Sequence, residues 1–383
     1  MKIEFFKHNI GKKEIARVNK ALRSLFLTTG PETGRFEEKL SDYLGVRNSV
    51  GVYSCTSGLF LSLKALEIGE GDEVITTPFT FVATSNSALY CGAKIVFVDV
   101  EAESGNMDLS LLEHRITDRT KVIMPVHLYG NMCNIKTIKE IAGKAGLNIV
   151  EDSAHCIEGE FDGIKPGQLS DAACFSFYAT KNITSGEGGA IAVNDDELAD
   201  RLKVLRLHGM DKSALTRYTE QFAVYDVPVL GYKFNMFDIQ AALLIPQLER
   251  IEKVWLKKRQ IFEEYKKYLD NIEEIQFHSP AKNIKPAYHL LTIRVDPAIR
   301  DGLMDYLYRK GIGVALHYKP VHLMKYYRDT FGYKDGDFPV AEYLSRSSLT
   351  LPFYSKLKKK QIHYIIKTLK QGLFELKAGS LKS

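Results

Sequence analysis

The sequence predicts an α/β protein: a large domain with a mainly parallel central sheet flanked by helices, followed by a smaller C-terminal α/β domain. Three observations carry this. Short apolar runs alternate with amphipathic segments from about residue 48 to residue 193, the pattern of strand–helix–strand crossovers. Beyond 193 the alternation gives way to long helical stretches and then to a second, shorter mixed set. The 383 residues, at roughly 150 per domain, fit two domains better than one.

The first domain is expected over 1–245, with an N-terminal arm, and the second over 246–383. Strands are predicted at 49–53, 73–77, 95–98, 122–127, 148–151, 172–178 and 190–193, with helical segments such as 58–67, 83–91 and 134–145 between them. Parallel sheets of this kind bind ligands outside the carboxyl ends of their strands. The turns after Tyr53, Thr77, His127 and Glu151 therefore form the expected functional edge. Residues 236–269 read as helix interrupted at Pro246, since proline bends or splits a helix. The last third carries a strand-like 288–295, a helix-like 300–310, a short strand near 314–317 and a terminal helix over 357–376. The tail 378–383 is expected to fray.

Composition narrows the function classes. Hydrophobic residues are 45% and aromatics 11%, too many for a disordered chain. No apolar stretch approaches the ~20 residues of a membrane span, and the start MKIEFFKHNIGKKE lacks the apolar region of a signal peptide. Lys plus Arg total 52 against 47 acidic residues, a net charge of +5. That small, spread excess argues against a nucleic-acid binder and is compatible with an anionic small-molecule substrate. The five cysteines (Cys55, Cys91, Cys133, Cys156 and Cys174) are odd in number and form no C-x-x-C pair. They fit reduced thiols in a cytoplasmic protein rather than a disulfide framework or a metal site.

The residues that carry chemistry fall at successive strand ends. In FSFYATKNITSGEGG an apolar strand runs into a polar turn holding Lys181. Partial burial would lower the pKa of that lysine and expose a nucleophilic amine, although a lone lysine is more often a surface charge. In NIVEDSAH, Asp152 follows a strand; a carboxylate there needs a cationic partner, which a protonated pyridine nitrogen would supply. Helix capping or a structural ion pair is the commoner role for such an aspartate. His155, three residues on, could face the same ligand. In SVGVYSCTSGLF, small residues including Cys55 and Thr56 open a helix, a cup for phosphate or a simple N-cap. Ser176 adds a hydroxyl on the strand that delivers Lys181. Phe81 in TTPFTFVAT could stack on a flat ring or pack in the core. Together these supply what pyridoxal 5′-phosphate requires: an amine for its aldehyde, a carboxylate for its ring nitrogen, a stacking ring and phosphate donors.

The ordered segments GVYSCTSGLFLSLKAL, GDEVITTPFTFVAT, EDSAHCIEGEFDG, DAACFSFYATKNITSGEGGAI and GYKFNMFDIQAAL resemble the DegT/DnrJ-type sugar aminotransferases, from about residue 8 to about residue 370. The resemblance implies an aspartate-aminotransferase-like, fold type I enzyme that uses pyridoxal phosphate. It implies that Lys181 bonds to the cofactor aldehyde, Asp152 pairs with the ring nitrogen, His155 meets the phenolic oxygen and Phe81 stacks on the ring. Cys55, Thr56 and Ser176 would hold the phosphate. Asn235, in GYKFNM, would reach the phosphate of the other subunit, implying a homodimer with shared sites. Phe237 stands where the family commonly has Ser or Thr. GVALHYKPVHLMKYYRDTFGY resembles the substrate segment of members that aminate nucleotide-linked 4-keto-6-deoxy sugars, with His317 and His322 as candidate substrate contacts. L-glutamate is the implied amino donor.

Relatives in which histidine replaces the lysine are sugar dehydratases; Lys181 favours transamination. A regulatory sugar-nucleotide-binding protein is a second alternative, against which stands the absence of a basic recognition helix. A nicotinamide-dependent oxidoreductase is a third, against which stands the lack of G-x-G-x-x-G after the first strand.

Overall fold

A computed structural model of the chain describes residues 1–211, 225–278 and 282–380. Seven strands build the central sheet: β1 (Asn48–Val52), β2 (Glu73–Thr76), β3 (Lys94–Phe97), β4 (Thr120–Ile123), β5 (Asn148–Asp152), β6 (Ala172–Ser176) and β7 (Gly189–Val193). Their order is β1-β7-β6-β5-β4-β2-β3. β7 runs antiparallel to both neighbours, and every other pairing is parallel. The mainly parallel, helix-flanked sheet foreseen from the sequence is therefore the observed one.

Side-chain alternation along β6 explains the two helical layers. Ala172 and Cys174 enter the apolar cluster beneath helices α3 (Cys55–Ala65) and α4 (Ala83–Tyr90). Ala173 and Phe175 enter the opposite cluster, with Phe36, Leu40, Leu244 and Ile245, because successive strand residues point to opposite faces. Helix α2 (Pro31–Leu44) begins with proline at its first turn and ends at Gly45, whose φ of 69° suits a left-handed cap. Helix α5 (Ile135–Ala145) is capped by the Asn134 side chain, which accepts from the Thr137 N–H, and ends at Gly146. Neither α1 (Lys12–Leu22) nor α2 was marked by the strand–helix alternation. α6 (Asp196–Leu205) follows β7.

The helical run foreseen at 236–269 forms as α7 (Asp238–Leu248) and α8 (Ile251–Leu269). The break does not fall at Pro246, which stays inside α7. It falls at Glu249–Arg250, where the Arg250 guanidinium turns back to donate to the Pro246 carbonyl at 2.7 Å.

A second apolar core joins α8, α9 (Pro297–Arg309), α12 (Lys359–Ser380) and a three-stranded antiparallel sheet of β8 (Gln276–Phe277), β9 (Leu291–Arg294) and β10 (Ser348–Leu351). Ile3 is buried in this core and bridges to Ile312. The short strand expected near 314–317 reduces to a single bridge from Ala315 to Thr350, because the following residues turn into the site described below. Helices α10 (Lys325–Phe331) and α11 (Pro339–Ser347) return to the large sheet, where Tyr327, Phe338 and Leu344 join its core. Residues 378–380, expected to fray, are helical, and 381–383 lie outside the described residues. No helix among the described residues is long and apolar enough to cross a membrane.

Candidate active site

A cavity of about 530 Å³ opens at the carboxyl ends of β1, β2, β4, β5 and β6. It has the size of a small-cofactor site, roughly 300–1,000 Å³. Chain order explains its lining. These strands hand residues to the rim: Ser54–Thr56 after β1, Thr80 and Phe81 after β2, Val126 after β4, Asp152 at the tip of β5, Ser176 at the end of β6 and Lys181 beyond it.

Lys181 is half-buried on the turn beyond β6, its backbone N–H donating to the Tyr178 carbonyl at 2.9 Å. Burial lowers its pKa to about 8, with the Cys55 thiol and the Asp152 carboxylate opposing the shift. The amine is thus partly unprotonated near neutrality, as a nucleophile requires.

Asp152 is buried. Its Oδ2 accepts from the Thr84 hydroxyl at 2.7 Å and its Oδ1 from the Ala154 N–H at 3.1 Å. Burial raises its pKa, while these two bonds, Lys181 and His127 act against the rise. A cation placed beside it would complete the compensation.

The N-terminus of α3 closes one end. Ser54 caps it by accepting from the Ser57 N–H, and the first-turn N–H groups of Cys55 and Thr56 face the cavity end of the helix dipole. The Cys55 thiol itself is turned to the Cys174 carbonyl, 3.4 Å away, and burial pushes its pKa well up. What Cys55 offers an anion is its backbone, not its sulfur. Gly189 makes this approach possible: a Cβ there would lie 2.4 Å from the Ser54 carbonyl carbon. The glycine-rich loop after Lys181 therefore lets α3 sit down on the sheet. Ser176 lines the same region, its Oγ accepting from the Tyr178 N–H at 3.4 Å.

Phe81 lies two residues before α4 rather than inside it, with 59% of its surface exposed beside the cavity. Its ring is tilted toward Tyr318, with centroids 6.3 Å apart. A large apolar ring exposed in a pocket offers a face on which a flat ring can stack.

A match to one family model spans residues 8–370. The chain belongs to the DegT/DnrJ/EryC1/StrS aminotransferase family. Among its relatives, a protein from Methanocaldococcus jannaschii called "Uncharacterized protein MJ1066" is 40% identical over 97% of each chain. The spore coat polysaccharide biosynthesis protein SpsC of Bacillus subtilis is 38% identical over 94% of each. The PMP form of the putative sugar aminotransferase Spr1654 from Streptococcus pneumoniae superposes with a TM-score of 0.92 at 33% identity, covering 97% of this chain and 98% of that one. The expected family, fold and sugar aminotransferase class are therefore those found, and the family's cofactor is pyridoxal phosphate.

The residues of this aminotransferase fit that cofactor: a half-buried amine, a deep carboxylate with no ion pair among the described residues, an exposed ring and a capped helix N-terminus converge on one cavity. Of the other residues foreseen, the structure brings His155 and His317 to it. His155 Nδ1 accepts from the Tyr129 N–H at 3.2 Å, and its Nε2 lies 3.1 Å from the Tyr318 hydroxyl. Burial, with Lys181 and His317, holds its pKa well below the usual range, so the ring is neutral with its proton on Nε2. His317 Nδ1 meets the Thr350 hydroxyl at 2.9 Å, and burial and Lys181 lower its pKa to about 4.

Two foreseen residues are not brought there. His322, expected at the substrate, is fully buried beside the Phe338 ring, its Nε2 3.1 Å from Glu342. Packing and a carboxylate partner take up that side chain. Asn235 is buried away from its own chain's cavity, bridging to Val52 and donating to the hydroxyls of Thr28 and Thr29 at 3.1 and 2.7 Å. Phe237, the residue that departs from the family pattern, precedes α7 and is 44% exposed.

Sequence reasoning missed Tyr318, Thr84 and Gly189. Thr84 carries a usable signal, since it stands one helical turn after Phe81. Tyr318 follows His317 but is recognisable only once the last third folds back over the sheet.

Proposed function

We propose that this aminotransferase moves the amino group of L-glutamate to a nucleotide-linked keto-deoxy sugar, most concretely a 4-keto-6-deoxyhexose. It would work as a homodimer with shared active sites and yield an amino sugar nucleotide for surface glycan or related biosynthesis. The observation that carries the reading is the convergence of Lys181 and Asp152 on one cavity at the strand ends. The similarity to SpsC, a spore coat polysaccharide biosynthesis protein, supports a glycan destination.

When bound, pyridoxal phosphate supplies an electron sink for charge developing on a substrate carbon. Lys181 would hold the cofactor's aldehyde carbon and, once displaced by the incoming amino group, would carry the proton between the two carbons involved, as base and then as acid. A lysine with a pKa of about 8 is suited to both directions near neutral pH. Asp152 would keep a proton on the ring nitrogen, and Thr84 orients that carboxylate. Cys55 and Thr56 through their N–H groups, with Ser176, would bind the phosphate. His155 would orient Tyr318 on the side of the phenolic oxygen; because His155 donates to it, Tyr318 retains its own proton to give. Phe81 would cover one face of the ring. His317, neutral, would be the polar contact for the sugar.

The dimer is supported by apolar side chains left bare around Asn235. Leu25 and Leu27 precede the threonines that hold Asn235, and Val229, Leu230 and Phe237 flank it in the chain; all five are exposed, Leu230 by 87%. Among the described residues, Asn235 Oδ1 is buried without a partner. A second copy laid over this surface would cover it and bring Asn235 toward the neighbouring phosphate.

The test offers isotope-labelled glutamate with a panel of keto sugars, free and nucleotide-linked, and follows the label by mass spectrometry; light scattering gives the oligomer. Label in a nucleotide-linked amino sugar, from a dimer, is the expected result. Transfer to free sugars alone would refute the nucleotide requirement, and transfer to none would refute the substrate class.

A further inference from the structure

Behind Lys181 lies a buried polar assembly that the proposed reaction does not use. Asn182, the next residue, donates from Nδ2 to Glu158 Oε2 at 2.7 Å and to the Ala287 carbonyl at 2.8 Å. Its Oδ1 accepts from Lys258 Nζ at 2.7 Å and lies 3.3 Å from His289 Nδ1. A carboxylate on one side and an ammonium on the other allow this amide a single orientation. Because Asn182 Oδ1 can only accept, His289 must carry its proton on Nδ1. The His289 ring then lies 4.4 Å from that of His155, the residue that orients Tyr318.

Glu158, Lys258 and His289 are all buried. Burial raises the pKa of Glu158 and lowers that of Lys258, and each opposes the other's shift. Charged groups so placed are costly to desolvate and often no more stabilising than apolar ones. Their position calls for a reason other than stability. Lys258 comes from α8, outside the central sheet, and also donates to the His289 carbonyl at 3.3 Å. Three separated stretches of chain thus converge on the side chain next to Lys181.

We propose that Asn182 is the positioning residue for Lys181, clamped between Glu158 and Lys258, so that α8 fixes the turn from which the reactive amine projects. This rests on the role of Lys181 proposed above. The clamp holds the backbone of residues 181–182 while the Lys181 side chain swings. It also ties that turn to the His289–His155 ring pair, so both sides of the cavity are set by one amide. Positioning of this kind matters because small misplacements of a reacting group cost large factors in rate.

The experiment compares wild type with Lys258→Met, which keeps length and removes the donor to Asn182. Cofactor-free protein is labelled with a trace acylating reagent across pH, and modification of Lys181 is read by mass spectrometry. The groups facing the amine are Asp152 from β5, Cys55 from α3, and His155, His289 and His317 from the loops; the substitution replaces none of them, and of these His289 is the one that Lys258 touches, through its backbone carbonyl. The Lys181 midpoint is expected to rise by about one pH unit as the loosened turn admits water. In the holoenzyme kcat should fall about tenfold or more, with KM within about twofold. Lys258→Arg should restore both.

An unmoved midpoint in folded Lys258→Met overturns the clamp. If that variant does not fold, Glu158→Gln/Lys258→Met, which carries neither buried charge, is read by the same criterion. Borohydride trapping of pyridoxal phosphate on wild-type Lys181 is scored separately. Trapping with no midpoint change removes the clamp alone, whereas a midpoint change without trapping removes the assigned role of Lys181.

Discussion

The backbone N–H of Tyr129 donates to Nδ1 of His155, 3.2 Å away, and fixes the imidazole proton on Nε2. Tyr129 stands at φ 58°, a left-handed conformation uncommon for a bulky side chain. Its carbonyl accepts from the His289 N–H at 3.2 Å, so one strained residue brackets the ring pair behind the cavity. Such strain persists where the surroundings over-determine it. The consequence reaches Tyr318, which accepts from His155 and keeps its own proton free for the site. Burial and the Asp152 charge push the Tyr318 pKa up, so it stays a donor throughout the working range.

Tyr318→Phe therefore leaves the His155 Nε2–H buried without its acceptor, at a cost of about 1–3 kcal/mol. The variant should melt lower than wild type and lose about tenfold in kcat/KM, an effect of one lost charge-sensitive hydrogen bond. A thermal melt with steady-state rates checks it; wild-type values in both would remove Tyr318 from the site.

Asp152→Asn preserves shape. The amide oxygen can still accept from Ala154, and Thr84 can accept from the amide N–H. Far-ultraviolet dichroism should match wild type, while turnover should fall by roughly 100-fold or more because the ring nitrogen loses its proton-holding partner. A rate near wild type would take Asp152 out of the reaction.

A half-buried cation bears on stability as well. The Lys181 pKa is lowered to about 8 from the ordinary 10.5, so between these values the unfolded chain binds more protons than the folded one. Stability of the cofactor-free protein should accordingly rise with pH across that window, the burden being complete below about 8. Lys181→Met should be the more stable protein at pH 7, and its margin should shrink toward pH 10. Chemical denaturation at three pH values measures this; a margin that grows with pH would contradict it.

Asp238 supplies a structural test. Its carboxylate accepts from the N–H groups of Gly30, Glu32 and Thr33 and from the Thr33 hydroxyl, at 2.7–3.1 Å. It caps α2 from the start of α7, beside the Asn235 segment. Asp238→Ala should destabilise by about 2–4 kcal/mol, more than an ordinary capping loss, because several buried donors are orphaned together. Denaturant midpoints would show it, and a change below 1 kcal/mol would deny the capping role.

How far the sequence foretold this molecule depended on the range of the interactions. Strands β1 to β7 were legible because each is a short apolar run bounded by turn residues. Lys181, Asp152 and the opening of α3 were legible because parallel strands deliver their chemistry at one edge. β10 was not, since SLTL forms a strand only by pairing with β9, more than fifty residues away. His322 misled because a histidine in a polar, aromatic-rich segment looks available until Phe338 and Glu342 fold against it. The clamp on Asn182 was invisible for the same reason: Glu158, Lys258 and His289 read as ordinary polar residues until their three stretches of chain meet around that side chain.

The most direct test of the central claim is an absorption spectrum of the protein loaded with pyridoxal phosphate, taken before and after L-glutamate. A yellow band that is missing from Lys181→Ala and moves to the near ultraviolet with glutamate is the predicted result. A protein that stays colourless with the cofactor, or a yellow band that Lys181→Ala retains, would contradict the assignment of Lys181.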